Sequence, residues 1–285
     1  MKSGKVFLVG AGPGDPGLLT LRAKELLETC DTVVFDALVN PDILQFAPLQ
    51  AERIFVGKRC GKISWKQDEI HRLLLERARL GEHVVRLKGG DPFLFGRGGE
   101  EAEFLAAHGV AWEIVPGVSS ALAAPAAAGI PVTHRGLSSS VAIVTAHEHG
   151  ESDGSVDWEK LATGADTLVV LMGASRLPEI CRRILAAGRP PETPAAVVQW
   201  GTYTHQRVVH APLAQIADRA KEERLGPPAI LVVGEVAALG EQLYDALSGI
   251  SKSHWADGSA DWRRRRRQDS TPGSGRRDDP PHPTN

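Results

Sequence analysis

The chain has 285 residues, 42% of them hydrophobic and 24% charged, with a formal net charge of −2 at pH 7. These figures describe an ordinary globular protein with enough apolar residues for a core and room for one large or two ordinary domains. No apolar run reaches the roughly 18–20 residues that cross a bilayer, so no membrane partner is expected.

The first expected strand covers residues 6–9 and runs into GAGPGDPG, residues 10–17. Counted from Gly12, through Gly14 to Gly17, the stretch fits the dinucleotide spacing Gly-x-Gly-x-x-Gly. Counted from Gly10, where the strand ends, the third glycine position holds Asp15. Pro13 and Pro16 have no N–H to offer a phosphate, and Asp15 adds a negative charge. The loop therefore reads as a plain strand-to-helix turn or as a site for a ligand without phosphate. Asp15 is the expected N-cap and Pro16 the first helical residue of a helix over 18–29. Met1-Lys2 leads straight into this strand pattern, so no signal peptide is expected.

Strands follow at 32–35 and 53–56, with Asp36 directly after the first and Lys58-Arg59 soon after the second. Ser64 with Gln67 forms a capping box opening a helix that ends at Gly81. A strand over 84–87 precedes LKGGDPFLFGRGGEE, residues 87–101. Gly89 and Gly90 lie at that strand's C-terminal end, where open α/β sheets bind ligands. Asp91 is suited to accept hydrogen bonds from a ribose or an amine, although a turn and a capped helix explain the stretch equally well. Glu100 and Glu101 suit a helix's first turn.

A strand at 112–115 ends in Pro116-Gly117, and Ser119 and Ser120 stand at a helix start followed by small residues that permit close approach. Further strands are expected at 141–145, 167–172, 195–200, 207–211 and 229–233. Alternating strands and helices argue an α/β architecture. Ten strands argue two α/β domains, residues 1–135 and 136–248, with a ligand cleft between them. Residues 249–285 read by composition as a disordered basic and polar tail. From Ser251 onward eight Lys/Arg stand against five Asp/Glu, leaving the body with a net charge of −5. An acidic body does not point to nucleic acid. His147-Glu148-His149 lacks a third ligand at suitable spacing, so no metal is expected. Cys30, Cys60 and Cys181 make neither a disulfide framework nor a zinc site, which fits the cytoplasm.

Taken together, VGAGPGDPGLLTLRA, VVFDALV, FVGKRCG, VRLKGGDPFLFGRGGEE, VPGVSSA, GIPVTHRG, LVVLMG and QWGTYTHQRVV occur in the order of the tetrapyrrole methylase family, which the chain resembles over roughly residues 5–245. The resemblance implies S-adenosylmethionine as cofactor, lined by Pro13, Gly89, Gly90, Asp91, Leu94, Ser119, Ser120, Met172 and Gly201, with S-adenosylhomocysteine as product. It implies proton-transfer roles for Asp36 and Lys58 and a homodimer. The implied reaction methylates two pyrrole carbons, C-2 and C-7, of uroporphyrinogen III and gives precorrin-2 by way of precorrin-1, on the way to cobalamin and sirohaem. Arg59, His134, Arg135 and Arg207 are the expected cations for the substrate's carboxylates. One departure is that the family commonly has a histidine soon after Gly-Lys-Arg, where this chain reads Cys60-Gly61-Lys62-Ile63. The alternatives are a sister methylase acting on a later corrin intermediate, a nicotinamide oxidoreductase, and a non-catalytic binding protein.

Overall fold

The structure, a computed structural model, describes residues 4–57, 65–146 and 156–244. These fall within one compact unit, Met1–Tyr244. The basic tail and His147-Glu148-His149 lie outside the described residues.

The first sheet contains β1 (Lys5–Gly10), β2 (Thr32–Phe35), β3 (Glu52–Phe55), β4 (His83–Lys88) and β5 (Ala111–Val115) in the order β3-β2-β4-β1-β5. All its pairs are parallel, as expected of strands that return through helical crossovers. Those crossovers include α1 (Leu21–Thr29), α2 (Gln67–Arg79) and α3 (Gly98–Ala107). Side chains alternate between the two faces. Phe7 and Val9 of β1 pack with Val85, Leu87 and the Leu26-Leu27 pair of α1. Val6 and Leu8 pack on the opposite face with Ile70 and Leu74 of α2 and Leu105 of α3. Burial on both faces explains why β1 reads as a nearly unbroken apolar run.

The second sheet contains β6 (Val141–Thr145), β7 (Thr167–Leu171), β8 (Pro194–Gln199), β9 (Arg207–Pro212) and β10 (Ala229–Val233) in the order β6-β7-β10-β8-β9. Only β6 and β7 pair in parallel; β10 runs antiparallel to both its neighbours, and β8 to β9. One face is covered by α5 (Trp158–Gly164), α6 (Leu177–Ala186) and α7 (Ile216–Glu222). The other receives α4 (Ser120–Ala127), whose Ala121 and Ala124 meet Val169, Val198 and Val232.

Two helix starts differ from expectation. The helix expected over 18–29 is divided. Asp15 caps a short 3-10 turn, Pro16–Leu18, by accepting from Gly17 N at 2.7 Å. Thr20 then caps α1 by accepting from Ala23 N, because a second capping hydroxyl restarts the chain in a new direction. Helix α2 starts at Gln67, with the Glu69 carboxylate accepting from Lys66 N at 2.6 Å. Ser64 lies outside the described residues.

Candidate active site

Three strand-end loops of the first sheet meet through backbone. A Cβ on Gly10 would lie 2.5 Å from Gly117 Cα and 2.7 Å from Gly90 O. Only glycine permits that approach. Gly12 and Gly90 form an isolated antiparallel bridge, Gly12 N donating to Gly90 O at 3.2 Å and Gly90 N to Gly12 O at 2.8 Å. Gly90 sits at φ +68°, a conformation that favours glycine.

Four N–H groups of the first loop are spent inside the protein. Ala11 N donates to Lys88 O, Gly12 N to Gly90 O, Asp15 N to the Thr202 hydroxyl and Gly17 N to the Asp15 carboxylate. Pro13 and Pro16 have none to give. A phosphate cradle needs converging free N–H groups, so this loop fits a ligand that carries no phosphate.

Both oxygens of the Asp91 carboxylate accept from backbone. Oδ1 accepts from Phe93 N at 2.8 Å and Leu94 N at 3.1 Å, while Oδ2 accepts from Gly117 N at 3.0 Å. It ties the loop after β4 to the loop after β5. A Cβ on Gly90 would come within ordinary contact of Ser119 Cα and Ser120 N. Ser119 caps α4 through Ala121 N at 3.2 Å, as expected for a serine at a helix start.

The loop after β8 reaches the same rim. Gly201 packs on Ala124 so closely that a Cβ there would overlap the alanine, and the Tyr203 ring occupies the space a side chain on Gly14 would need. Leu94 packs beside Ala121 and Ala124. Trp200, Thr202 and Met172 adopt positive φ values of 52°, 72° and 56°. Such backbone outliers gather at ligand sites.

The structure therefore brings Pro13, Gly89, Gly90, Asp91, Leu94, Ser119, Ser120 and Gly201 to neighbouring loops. Met172, at the end of β7, is half exposed. His134 and Arg135 are exposed in a turn closed by a His134–Ser138 bridge, and Arg207 pairs with Glu223 at 3.1 Å. No described contact ties these four to the glycine loops. Lys58, Arg59 and the Cys60-Gly61-Lys62-Ile63 stretch lie outside the described residues.

Asp36 is not alone at the end of β2. Its Oδ1 accepts from Arg86 Nη2 at 2.7 Å. Arg86 Nε donates to Glu101 Oε1 at 3.1 Å, and Lys88 Nζ reaches the same oxygen at 2.9 Å. Burial by itself would push the Glu101 carboxyl up, but Arg86 and Lys88 outweigh it and hold its pKa below the ordinary value. Burial and the neighbouring Arg86 push the Lys88 ammonium down. From the sequence Glu101 reads as a first-turn acid of α3, and nothing in its spacing links it to Arg86 and Lys88. The available signal was VVRLK, two cations at alternate positions of an otherwise apolar strand.

The sequence profile of the tetrapyrrole (corrin/porphyrin) methylases matches residues 5–217. A uroporphyrinogen-III C-methyltransferase of Priestia megaterium is 47% identical over 233 residues, covering 82% of this chain and 98% of that protein. A siroheme synthase of Azotobacter vinelandii is 49% identical over 242 residues, 84% of this chain but only 52% of its own length, so the chain spans about half of it. Among solved structures, uroporphyrin-III C-methyl transferase from Thermus thermophilus complexed with S-adenyl homocysteine is similar with a TM-score of 0.72 at 46% identity, covering 82% of this chain and 99% of that one.

Proposed function

Because the chain belongs to the tetrapyrrole (corrin/porphyrin) methylase family, we propose that it transfers two methyl groups from S-adenosylmethionine to uroporphyrinogen III, at C-2 and C-7. The product is precorrin-2, formed through precorrin-1, and the pathways served are those to cobalamin and sirohaem. The observation that carries the choice of cofactor is the first glycine loop, in which the Ala11, Gly12, Asp15 and Gly17 N–H groups are spent within the protein and Pro13 and Pro16 have none. A pyrophosphate has no cradle there, whereas an adenosyl group with an amino acid arm needs none.

When bound, S-adenosylmethionine supplies an electrophilic methyl on a sulfonium. The protein's part is to position, and well-oriented reactions gain up to about 7–11 kcal/mol in this way. Pro13, Gly89, Gly90, Leu94, Ser119, Ser120, Met172 and Gly201 line the cofactor site, with Asp91 holding two of its loops together. A substituted pyrrole carbon that accepts a methyl becomes quaternary and leaves positive charge on the macrocycle, which is relieved when a proton leaves from another of its atoms. Asp36, at the rim, is the acceptor or steering group, and Lys58 the donor or a carboxylate anchor. Arg59, His134, Arg135 and Arg207 supply cations for the substrate's carboxylates. We place the division between two domains near residue 135. The working form is a cytoplasmic homodimer.

Anaerobic incubation with uroporphyrinogen III and methyl-labelled cofactor tests this reading, with two methyl groups per product molecule expected. One methyl, or none, overturns it. Calorimetry should show S-adenosylhomocysteine binding and no NADH binding.

A further inference from the structure

Arg86 occupies the middle of β4, which lies between β2 and β1 in the sheet. Its side chain is 2% exposed. A valine or leucine would complete the core there without needing a partner. Instead the guanidinium spans two carboxylates, Nη2 to Asp36 at 2.7 Å and Nε to Glu101 at 3.1 Å. The register makes this possible. Val34 pairs with Arg86, and Asp36, two residues on, returns to the same face of the sheet.

Behind Arg86 the network continues away from the rim. Glu101, at 0% exposure, also receives Lys88 at 2.9 Å and the Gln67 amide at 3.1 Å. The same Gln67 nitrogen lies 3.2 Å from His71 Nε2. Burial lowers the His71 pKa and favours the neutral ring. Of the four charged members, Arg86, Lys88 and Glu101 are at most 4% exposed, and Asp36 is 30% exposed. Buried charge sets of this kind commonly stabilise a fold less than apolar residues of equal volume. What this one supplies is a single geometry, delivered to its one accessible member.

We propose that Glu101 and Arg86 are positioning residues for Asp36: Glu101 fixes the guanidinium, and the guanidinium fixes the carboxylate at the strand-end rim. This rests on the reading of Asp36 as a proton-transfer group. Reaching two separate carboxylates through Nη2 and Nε needs the guanidinium fork, which a lysine ammonium does not provide.

Arg86→Met is the primary variant. It leaves Glu101 paired with Lys88 and Gln67, so it strands no fully buried charge. Circular dichroism and melting monitor folding. With uroporphyrinogen III and S-adenosylmethionine, kcat is expected to fall at least about tenfold, while KM and S-adenosylhomocysteine affinity stay within about twofold. In an Asp36→Ala background the same substitution should change kcat by less than about twofold, because a group acting only through Asp36 has nothing left to position. Glu101→Gln should show the same dependence with a smaller loss. Should Arg86→Met fail to fold, Arg86→Lys keeps the charge, loses the fork, and is expected to behave alike. A loss of equal size in both backgrounds would mark a merely structural role and overturn the proposal. So would an unchanged kcat in folded Arg86→Met beside an inactive Asp36→Ala. An active Asp36→Ala would instead remove the reading of Asp36 and the proposal with it.

Discussion

Asp91 follows two glycines at a strand end, where an acid invites a reading as a ligand acceptor. In the folded chain its two oxygens take three backbone N–H groups. Replacing it with alanine should therefore affect folding and binding together. Asp91→Ala is expected to lower stability by about 1–3 kcal/mol through unsatisfied donors. It should weaken S-adenosylhomocysteine binding by about tenfold as the two loops part. A melting curve and a calorimetric titration check both, and wild-type values for either would remove that tie. Glycines make a second contrast at this scale. A Cβ on Gly10 meets backbone at 2.5 Å, whereas one on Gly99 meets nothing within 4 Å. Gly10→Ala should cost at least about 1–3 kcal/mol by overpacking, while Gly99→Ala, inside α3, should stabilise by about 0.5–1 kcal/mol through helix propensity. Thermal melts of the pair decide it. Glu100 and Glu101 show how far residue-level reading extends. Both stand in the first turn of α3, yet one is exposed and the other fully buried. Neighbours on a helix point about 100° apart, and which of them faces β4 is a matter of docking.

At the scale of elements, α3 and β4 bring an acid and two cations together out of water, and this has a pH signature. The folded pKa of Glu101 lies below its ordinary 4.5, since Arg86 and Lys88 outweigh its burial. Its contribution to stability is complete above that ordinary value and is lost as pH falls through the lower folded value. The melting temperature of Glu101→Gln should thus fall less steeply than that of the wild type between about pH 5 and 3. Equal slopes would mean that Glu101 is not held ionised by this cluster. Helix α4 teaches a related lesson. Its small residues read as permitting close approach, without saying what approaches. In the structure they form the surface that meets both the second sheet and Gly201. Ala124→Leu should cost about 1–3 kcal/mol through overpacking. By displacing the loop after β8 it should also weaken S-adenosylhomocysteine binding. Strand bounds were legible to within a residue or so because β-branched and apolar runs stop where the chain leaves the sheet. The starts of α1 and α2 were not, because several residues near each were able to cap, whereas α4 starts at Ser119 as expected.

For the whole molecule, deletion of residues 251–285 should leave methyl transfer and melting temperature nearly unchanged, since that stretch has too few apolar residues to offset the entropy of ordering. A large fall in either would tie the tail to catalysis or folding. Light scattering at micromolar concentration should report a dimer, and a monomer would overturn that expectation. By itself the sequence determined the α/β class, the ten described strands and the glycine-rich stretches at strand ends. Those depend on local conformational limits and on the apolar periodicity of buried strands, both written residue by residue. It also disfavoured a phosphate at the first loop, because proline has no N–H wherever it lies. Only the tertiary structure decided that the Ala11, Gly12 and Asp15 N–H groups are spent on Lys88, Gly90 and Thr202, and that Asp91 ties two loops. It alone decided that Glu101 rather than Glu100 stands behind Arg86 and Asp36. Each of these joins residues from elements distant along the chain, and their separation in space is set by sheet order and helix docking rather than by spacing along the chain.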